Sequence, residues 1–193
     1  GKIGGKMMPP GFYYKTFMAP QKMWMTYEKL IRKAAGFGKL SLDPDPDTYD
    51  KVNVHCDVMV VGAGPAGLTA ALEAGRSGKR VLIVDEQNEF GGTLLANNQT
   101  VDGVDAATWA DQATSELVGM SNVIVMPRTT AFGYYDHNFV CALERRTDHL
   151  GPVALTGTRQ RLHRIRAHQV ILATGAIERP LVFGNNDLPG IML

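Results

Sequence analysis

Cysteine is nearly missing: Cys56 and Cys141 are the two thiols in 193 residues, far apart and outside any C-x-x-C. That excludes a disulfide framework or a thiolate zinc site and leaves two small buried thiols in a reducing compartment as the expectation. No apolar run approaches the roughly 18 residues of a membrane span, and no signal-peptide pattern opens the chain. The expected compartment is the cytoplasm, with no membrane partner. Charge of one sign is lacking too: 20 Lys and Arg stand against 19 Asp and Glu, a net charge of +1. Such balance offers nucleic acid no attractive field. His163 and His168 have no acid or cysteine at metal spacing, so no metal site is expected and both rings are assigned to solvent. A hydrophobic content of 45% then describes an ordinary globular chain. The chain opens Gly1-Lys2-Ile3 without an initiator Met and closes on Ile191-Met192-Leu193. Both ends suggest a piece of something longer.

Glycine, by contrast, is concentrated where it matters. Cys56-Asp57-Val58-Met59-Val60-Val61 has the apolar character of a strand buried on both faces. Gly62-Ala63-Gly64-Pro65-Ala66-Gly67 follows directly and matches G-x-G-x-x-G. In that motif Gly62 makes the turn, Gly64 lets backbone approach a pyrophosphate, and Gly67 lets a helix pack close to the sheet. Pro65 suits the first helical turn. Leu68, Ala71, Leu72 and Gly75 then repeat at helical spacing, and Gly78 is a natural stop. Val81–Val84 reads as the second strand, ending in Asp85-Glu86. An acid about 20 residues past the turn is what a ribose diol needs as an acceptor. Two carboxylates there, with no Arg following, disfavour a 2′-phosphate and point to NAD or FAD. Strand, turn, helix and acid all agree, which a lone glycine motif would not achieve.

Residues 1–50 read as an arm with an Asp/Pro linker, and 51–193 as a dinucleotide-binding domain, its boundary near Asp50. Met7, Met8, Phe12, Tyr13, Tyr14, Phe17, Met18, Met23, Trp24 and Met25 are more apolar surface than a proline-broken segment buries on itself. The arm is therefore expected to pack on the domain or on a partner. Within it, Trp24 to Ala35 has helical spacing and stops at Gly36, with Lys29, Arg32 and Lys33 on a solvated face. Asp43-Pro44-Asp45-Pro46-Asp47 is not a calcium loop, because Thr48 and Val54 stand where an EF-hand needs Gly and Glu. Past the second strand, Gly91-Gly92 can bring two bare N–H groups toward a phosphate, with Gln87 beside them. Residues 104–118 form a helix through Ala106, Ala110, Ala113 and Leu117, and Asn122–Met126 a third buried strand. Thr129–Tyr135, Asn138–Arg145 and Arg159–His168 read as an antiparallel meander. Arg159, Arg161, Arg164 and Arg166 fall on its exposed face. Val170-Ile171-Leu172-Ala173-Thr174-Gly175-Ala176 closes the set as a further buried strand.

The fold class is therefore α/β: a Rossmann-like βαβαβ parallel sheet with an antiparallel meander. This order, ending in Ala-Thr-Gly, resembles the two-dinucleotide-binding, glutathione reductase-like flavoproteins, in which the Thr-Gly turn passes near the cofactor pyrophosphate.

Longer strings narrow the likeness. Gly11-Phe12-Tyr13-Tyr14-Lys15-Thr16-Phe17-Met18, Tyr27-Glu28-Lys29-Leu30, His55-Cys56-Asp57-Val58, Asp85-Glu86-Gln87, Phe90-Gly91-Gly92, Ala173-Thr174-Gly175-Ala176-Ile177-Glu178-Arg179-Pro180 and Asn186-Asp187-Leu188-Pro189-Gly190 stand in this order. Together they resemble the alpha subunits of bacterial heterotetrameric sarcosine oxidases, arm included. The resemblance implies one part of an oxidoreductase with beta, gamma and delta partners. Such enzymes demethylate sarcosine oxidatively to glycine and hydrogen peroxide and pass the one-carbon unit to tetrahydrofolate. It implies FAD and FMN in the complete complex, chiefly on or against the beta subunit, and NAD in the alpha subunit's glycine turn. Carried over, the NAD site is Gly62, Gly64, Pro65, Ala66, Gly67, Asp85, Glu86, Gln87, Gly91, Gly92, Thr174 and Gly175. The family's ferredoxin-like and folate-binding regions have no counterpart here, and no catalytic residue is assigned. The motif alone favours FAD in this site, and the resemblance favours NAD. The alternatives are the FAD-binding part of another amine- or opine-oxidising flavoprotein, and a structural nucleotide-binding scaffold for subunit assembly.

Overall fold

The computed structural model describes residues 20–36, 38, 42–96, 98–150, 157–177, 179, 181–186, 188 and 190–191. The chain divides into two compact units, 1–45 and 46–193. In the first, the helix α1 (Trp24–Ala34) forms where its spacing predicts, and the chain leaves it at Gly36 with φ 71°. Arg32 pairs with Glu28 one turn earlier at 2.6 Å, and no residue of α1 is buried. Tyr13 and Phe17 lie outside the described residues.

The second unit is built on β1 (Thr48–Val61), α2 (Pro65–Arg76), β2 (Val81–Val84), a small hairpin β3 (Thr100–Val101) and β4 (Val104–Asp105), α3 (Ala106–Gly119), β5 (Val123–Met126), β6 (Thr129–Tyr135), β7 (Phe139–Arg145) and β8 (Thr158–Leu172). Six strands form one sheet in the order β5-β2-β1-β8-β7-β6. The first four run parallel and the last three antiparallel, with β8 belonging to both sets. The helices start on local signals. Gly64 stands before Pro65 at the head of α2, and the Asp105 carboxylate accepts from Thr108 N–H at 3.1 Å at the head of α3.

Two apolar cores result. Val58, Val60, Val81 and Ile83 pack with Leu68, Ala71, Leu72, Ala106, Ala110, Ala113 and Leu117 of the helices. Met59, Val61, Leu82 and Val84 pack with Cys56, Met126, Val140, Ala142, Ile165 and Ala167. Fully burying one such side chain contributes about 1.5–3 kcal/mol, so the parallel strands are held from both sides. Burial raises the Cys56 thiol to about 11, which makes it an inert core residue.

Four expectations need correction. The meander's third strand and the closing strand are a single strand, β8, which pairs with β1 from Thr158 to Leu172 and with β7 over Gln160–Arg166, and its end, expected buried, leaves Ile171 and Leu172 exposed. β1 begins at Thr48, so the end of the expected linker is strand, and Asp47 and Asp50 pair with Arg159 and Arg161. The third parallel strand is not buried throughout, because β5 ends the described sheet and Ile124 is 54% exposed. The fourth is His163, expected in solvent but only 6% exposed, with Nε2 at 2.8 Å from Glu144 Oε2. His168 does reach solvent.

Candidate functional site: a cleft at the carboxyl ends of the parallel strands

β1, β2 and β8 end side by side, and a cleft of about 850 Å3 opens where they stop. That volume suits a cofactor-sized ligand. Gly62 continues the sheet, its N–H donating to Val84 O at 2.8 Å, and turns with φ 98°. A Cβ there would run into the Ala173 carbonyl, because Ala173 pairs back onto Val61 O at 2.8 Å. Gly67 carries the same constraint from the helix side, since its Cβ would strike the Gly62 carbonyl. These two glycines are demanded by the fold itself.

Gly64 is different. Its φ of −73° suits any residue, and a Cβ built on it meets nothing within 4 Å. The bare backbone there faces open space at the head of a 12-residue helix. The first-turn N–H groups of a helix have no intrahelical partner and carry the positive end of its dipole. An anion is what this surface accepts. The residues thus fit the pyrophosphate of a dinucleotide: Gly64, Pro65 and Ala66 line the cleft, and Gly67 lies buried behind them.

The acidic segment divides its work. Asp85 Oδ2 accepts from Ala63 N–H at 2.7 Å and Oδ1 from Gln87 N–H at 2.8 Å, which straps the glycine turn to the end of β2. Asp85, Glu86 and Gln87 all line the cleft, and Glu86 and Gln87 are exposed. The second glycine pair divides likewise. Gly91 N–H donates to Ala63 O at 2.8 Å, so it is spent on the turn. Gly92, with φ 54°, lies so close to Gly64 that its Cβ would stand 3.1 Å from the Gly64 Cα, and it lines the cleft with Thr93. Thr174 and Gly175 form the facing wall beside Ala173 and Ala176.

Thr129, Thr130 and Ala131 also line the cleft, and sequence reasoning missed them. They begin β6, and a signal did exist. The turn from β5 into the meander is only two residues long, so the meander's first strand must start near the parallel strand ends.

Parallel strands under a glycine turn, with an antiparallel meander on the same sheet, define a dinucleotide-binding oxidoreductase fold. Residues 57–149 match the family model described as FAD dependent oxidoreductase. The solved L-proline dehydrogenase from P. horikoshii superposes with a TM-score of 0.52 at 28% identity, over 77% of this chain and 28% of that one. Sequence likeness then narrows the class. Sarcosine oxidase subunit alpha from Rhizobium meliloti (strain 1021) is 52% identical over 100% of this chain and 20% of its own length. The subunit of that name from Corynebacterium sp. (strain U-96) is 55% identical over 82% of this chain and 17% of its own. The likeness places the chain in the sarcosine oxidase alpha-subunit family, and it spans about a fifth of the length of these relatives.

Proposed function

We propose that this chain is the dinucleotide-binding segment of a sarcosine oxidase alpha subunit, with NAD held across the cleft by its pyrophosphate and adenosine. The observation that carries the reading is Gly64, whose bare backbone opens on the cleft at a helix N-terminus while neighbouring glycines are explained by packing. Asp85 and Glu86, at the ribose end, repel a 2′-phosphate and so favour NAD over NADP. A bound dinucleotide supplies two-electron redox chemistry, and this chain's residues bind and orient it. The enzyme so served oxidatively demethylates sarcosine to glycine and hydrogen peroxide and transfers the one-carbon unit to tetrahydrofolate. It does so with beta, gamma and delta partners and with FAD and FMN elsewhere in the assembly, in the cytoplasm. By the same reading residues 1–50 are an arm and 51–193 the binding domain, and the segment alone does not turn over sarcosine.

FAD in this same cleft is the second reading, and the family match over residues 57–149 favours it. Denaturing the purified full-length protein and identifying the nucleotide released separates the two. NAD supports the first reading and a yellow FAD extract the second. A protein that releases neither and has no affinity for either sinks both.

A further inference from the structure

The outer face of the meander carries charge of one sign. β1, β8, β7 and β6 lie side by side there, and residues opposite one another in the ladder share a face. Val54, Ile165 and Val140 form one such row, and their side is the core. The adjacent row, Asn53, Arg164 and Cys141, points the other way. His55, Arg166, Phe139 and Tyr135 form a second outer row, and Lys51, Leu162 and Leu143 a third. Lys51, Arg164 and Arg166 thus share this face with His55, and none of the three rows contains Asp or Glu. Lys51 and His55 are exposed. The Arg166 guanidinium stacks 4.6 Å over the Phe139 ring, and the Tyr135 ring lies 5.9 Å from that of Phe139. Arg164 is half-buried, and its Nε has no acceptor among the described residues.

A buried guanidinium N–H without an acceptor is costly, and Arg stacked with Tyr and Phe is the composition of a binding hot spot. The edge of β6 is not the docking element, because a register shift between Ala131 and Gly133 disrupts its ladder and blunts strand addition. A second copy of this chain is a poor occupant, since a twofold contact would set cations against cations. A surface rich in carboxylates is complementary, and both sarcosine oxidase relatives are subunits by name. A charged face also stays soluble until a separately made partner arrives, which a face covered by its own chain has no need to do. We propose that the outer face of the meander docks an acidic surface of another subunit, a carboxylate of that partner taking the Arg164 guanidinium. This inference rests on the reading of the chain as part of a multisubunit oxidase and is independent of which dinucleotide fills the cleft.

The test uses the purified holoenzyme with a photo-crosslinking phenylalanine analogue in place of His55, which lies outside the cleft lining. Irradiation and peptide mapping are expected to join position 55 to an Asp- or Glu-rich segment of a different subunit. Sedimentation velocity then reads subunit association. Arg164→Glu and Lys51→Glu should each weaken it by about tenfold or more, and added salt should weaken the wild type in the same direction. Lys79→Glu, exposed and off this face, changes the net charge equally and should leave association unchanged. Lys51 is exposed, so its variant remains readable if Arg164→Glu fails to fold. A crosslink to the same subunit or to a second copy of it, or no crosslink at all, overturns the proposal. So does association in Lys51→Glu equal to that in Lys79→Glu. A holoenzyme that purifies as a single kind of chain overturns the multisubunit reading, and the proposal with it.

Discussion

At one end of the β1–β8 ladder, Met59, Val60 and Val61 stand beside Val170, Ile171 and Leu172; at the other, Asp50 stands beside Arg161 and Val52 beside His163. The cleft end is built from apolar side chains and glycines, with Met59 and Val60 fully buried. The far end is laced by ion pairs: Arg161 grips Asp50 through two 2.8 Å bonds, Arg159 meets Asp47 at 2.6 Å, and Glu144 meets His163 at 2.8 Å. Backbone pairing runs through both ends, with a register shift at Thr48/Tyr49, so the contrast lies in the side chains. Ile171 and Leu172 are exposed, but the packing of buried Met59 and Val60 cannot be screened by salt or cancelled by acid. The exposed pairs at the far end are screened and contribute little, and the largely buried Glu144–His163 pair is the exception. The cleft opens at the apolar end.

The comparison breaks most sharply at Gly67. Gly67→Val forces a branched side chain into the Gly62 carbonyl, so we expect a loss of about 3 kcal/mol or more, seen as a collapsed unfolding midpoint. Gly64→Val, three residues away, should leave folding within about 0.5 kcal/mol and yet abolish dinucleotide binding in a calorimetric titration. A Gly64→Val protein that unfolds like Gly67→Val, or still binds, would deny that the turn separates packing from binding.

At the far end, Glu144→Ala leaves buried His163 with neither ring nitrogen paired among the described residues. We expect a loss of about 1–3 kcal/mol in denaturant unfolding, with binding at the cleft unchanged. Loss of binding in a folded Glu144→Ala protein would show that the two ends are coupled after all.

The smallest effect is electrostatic. Hydrogen bonding from Arg161 holds the Asp50 carboxyl below its ordinary value of 3.8, and Arg80 does the same for Asp57 more strongly. Because the folded values are depressed, the stabilisation is present above the ordinary value and fades as pH falls below about 4. Asp57→Asn should therefore flatten the acid limb of the stability curve, with a smaller offset elsewhere. Stability that fades equally above pH 7 in this variant would contradict the sign.

Much of the cleft end was legible in the sequence. Cys56–Val61, Pro65–Arg76 and Val81–Val84 announce themselves through apolar blocks, a helical repeat and glycines at fixed offsets, all local signals. The far end was not legible in the same way. Arg159, Arg161, Arg164 and Arg166 read as a solvated face, yet the first three are half-buried, and the partner of Arg161 is Asp50, 111 residues away. His163 shows the same blindness, since its Glu144 partner sits on the neighbouring strand and not at any sequence spacing.

By itself the sequence determined the βαβ unit, the meander and the placing of glycine at Gly62, Gly64 and Gly67, because those follow from backbone sterics and periodicity within a few residues. Only the tertiary structure decided that the last meander strand and the closing strand are one. It alone decided that Gly91 serves the turn while Gly92 faces the cleft, and that Asp85 braces the turn while Glu86 stands open. Each of these depends on which hydrogen-bonding group arrives from a distant segment, and a donor's partner is set by the packing of the sheet, not by distance along the chain.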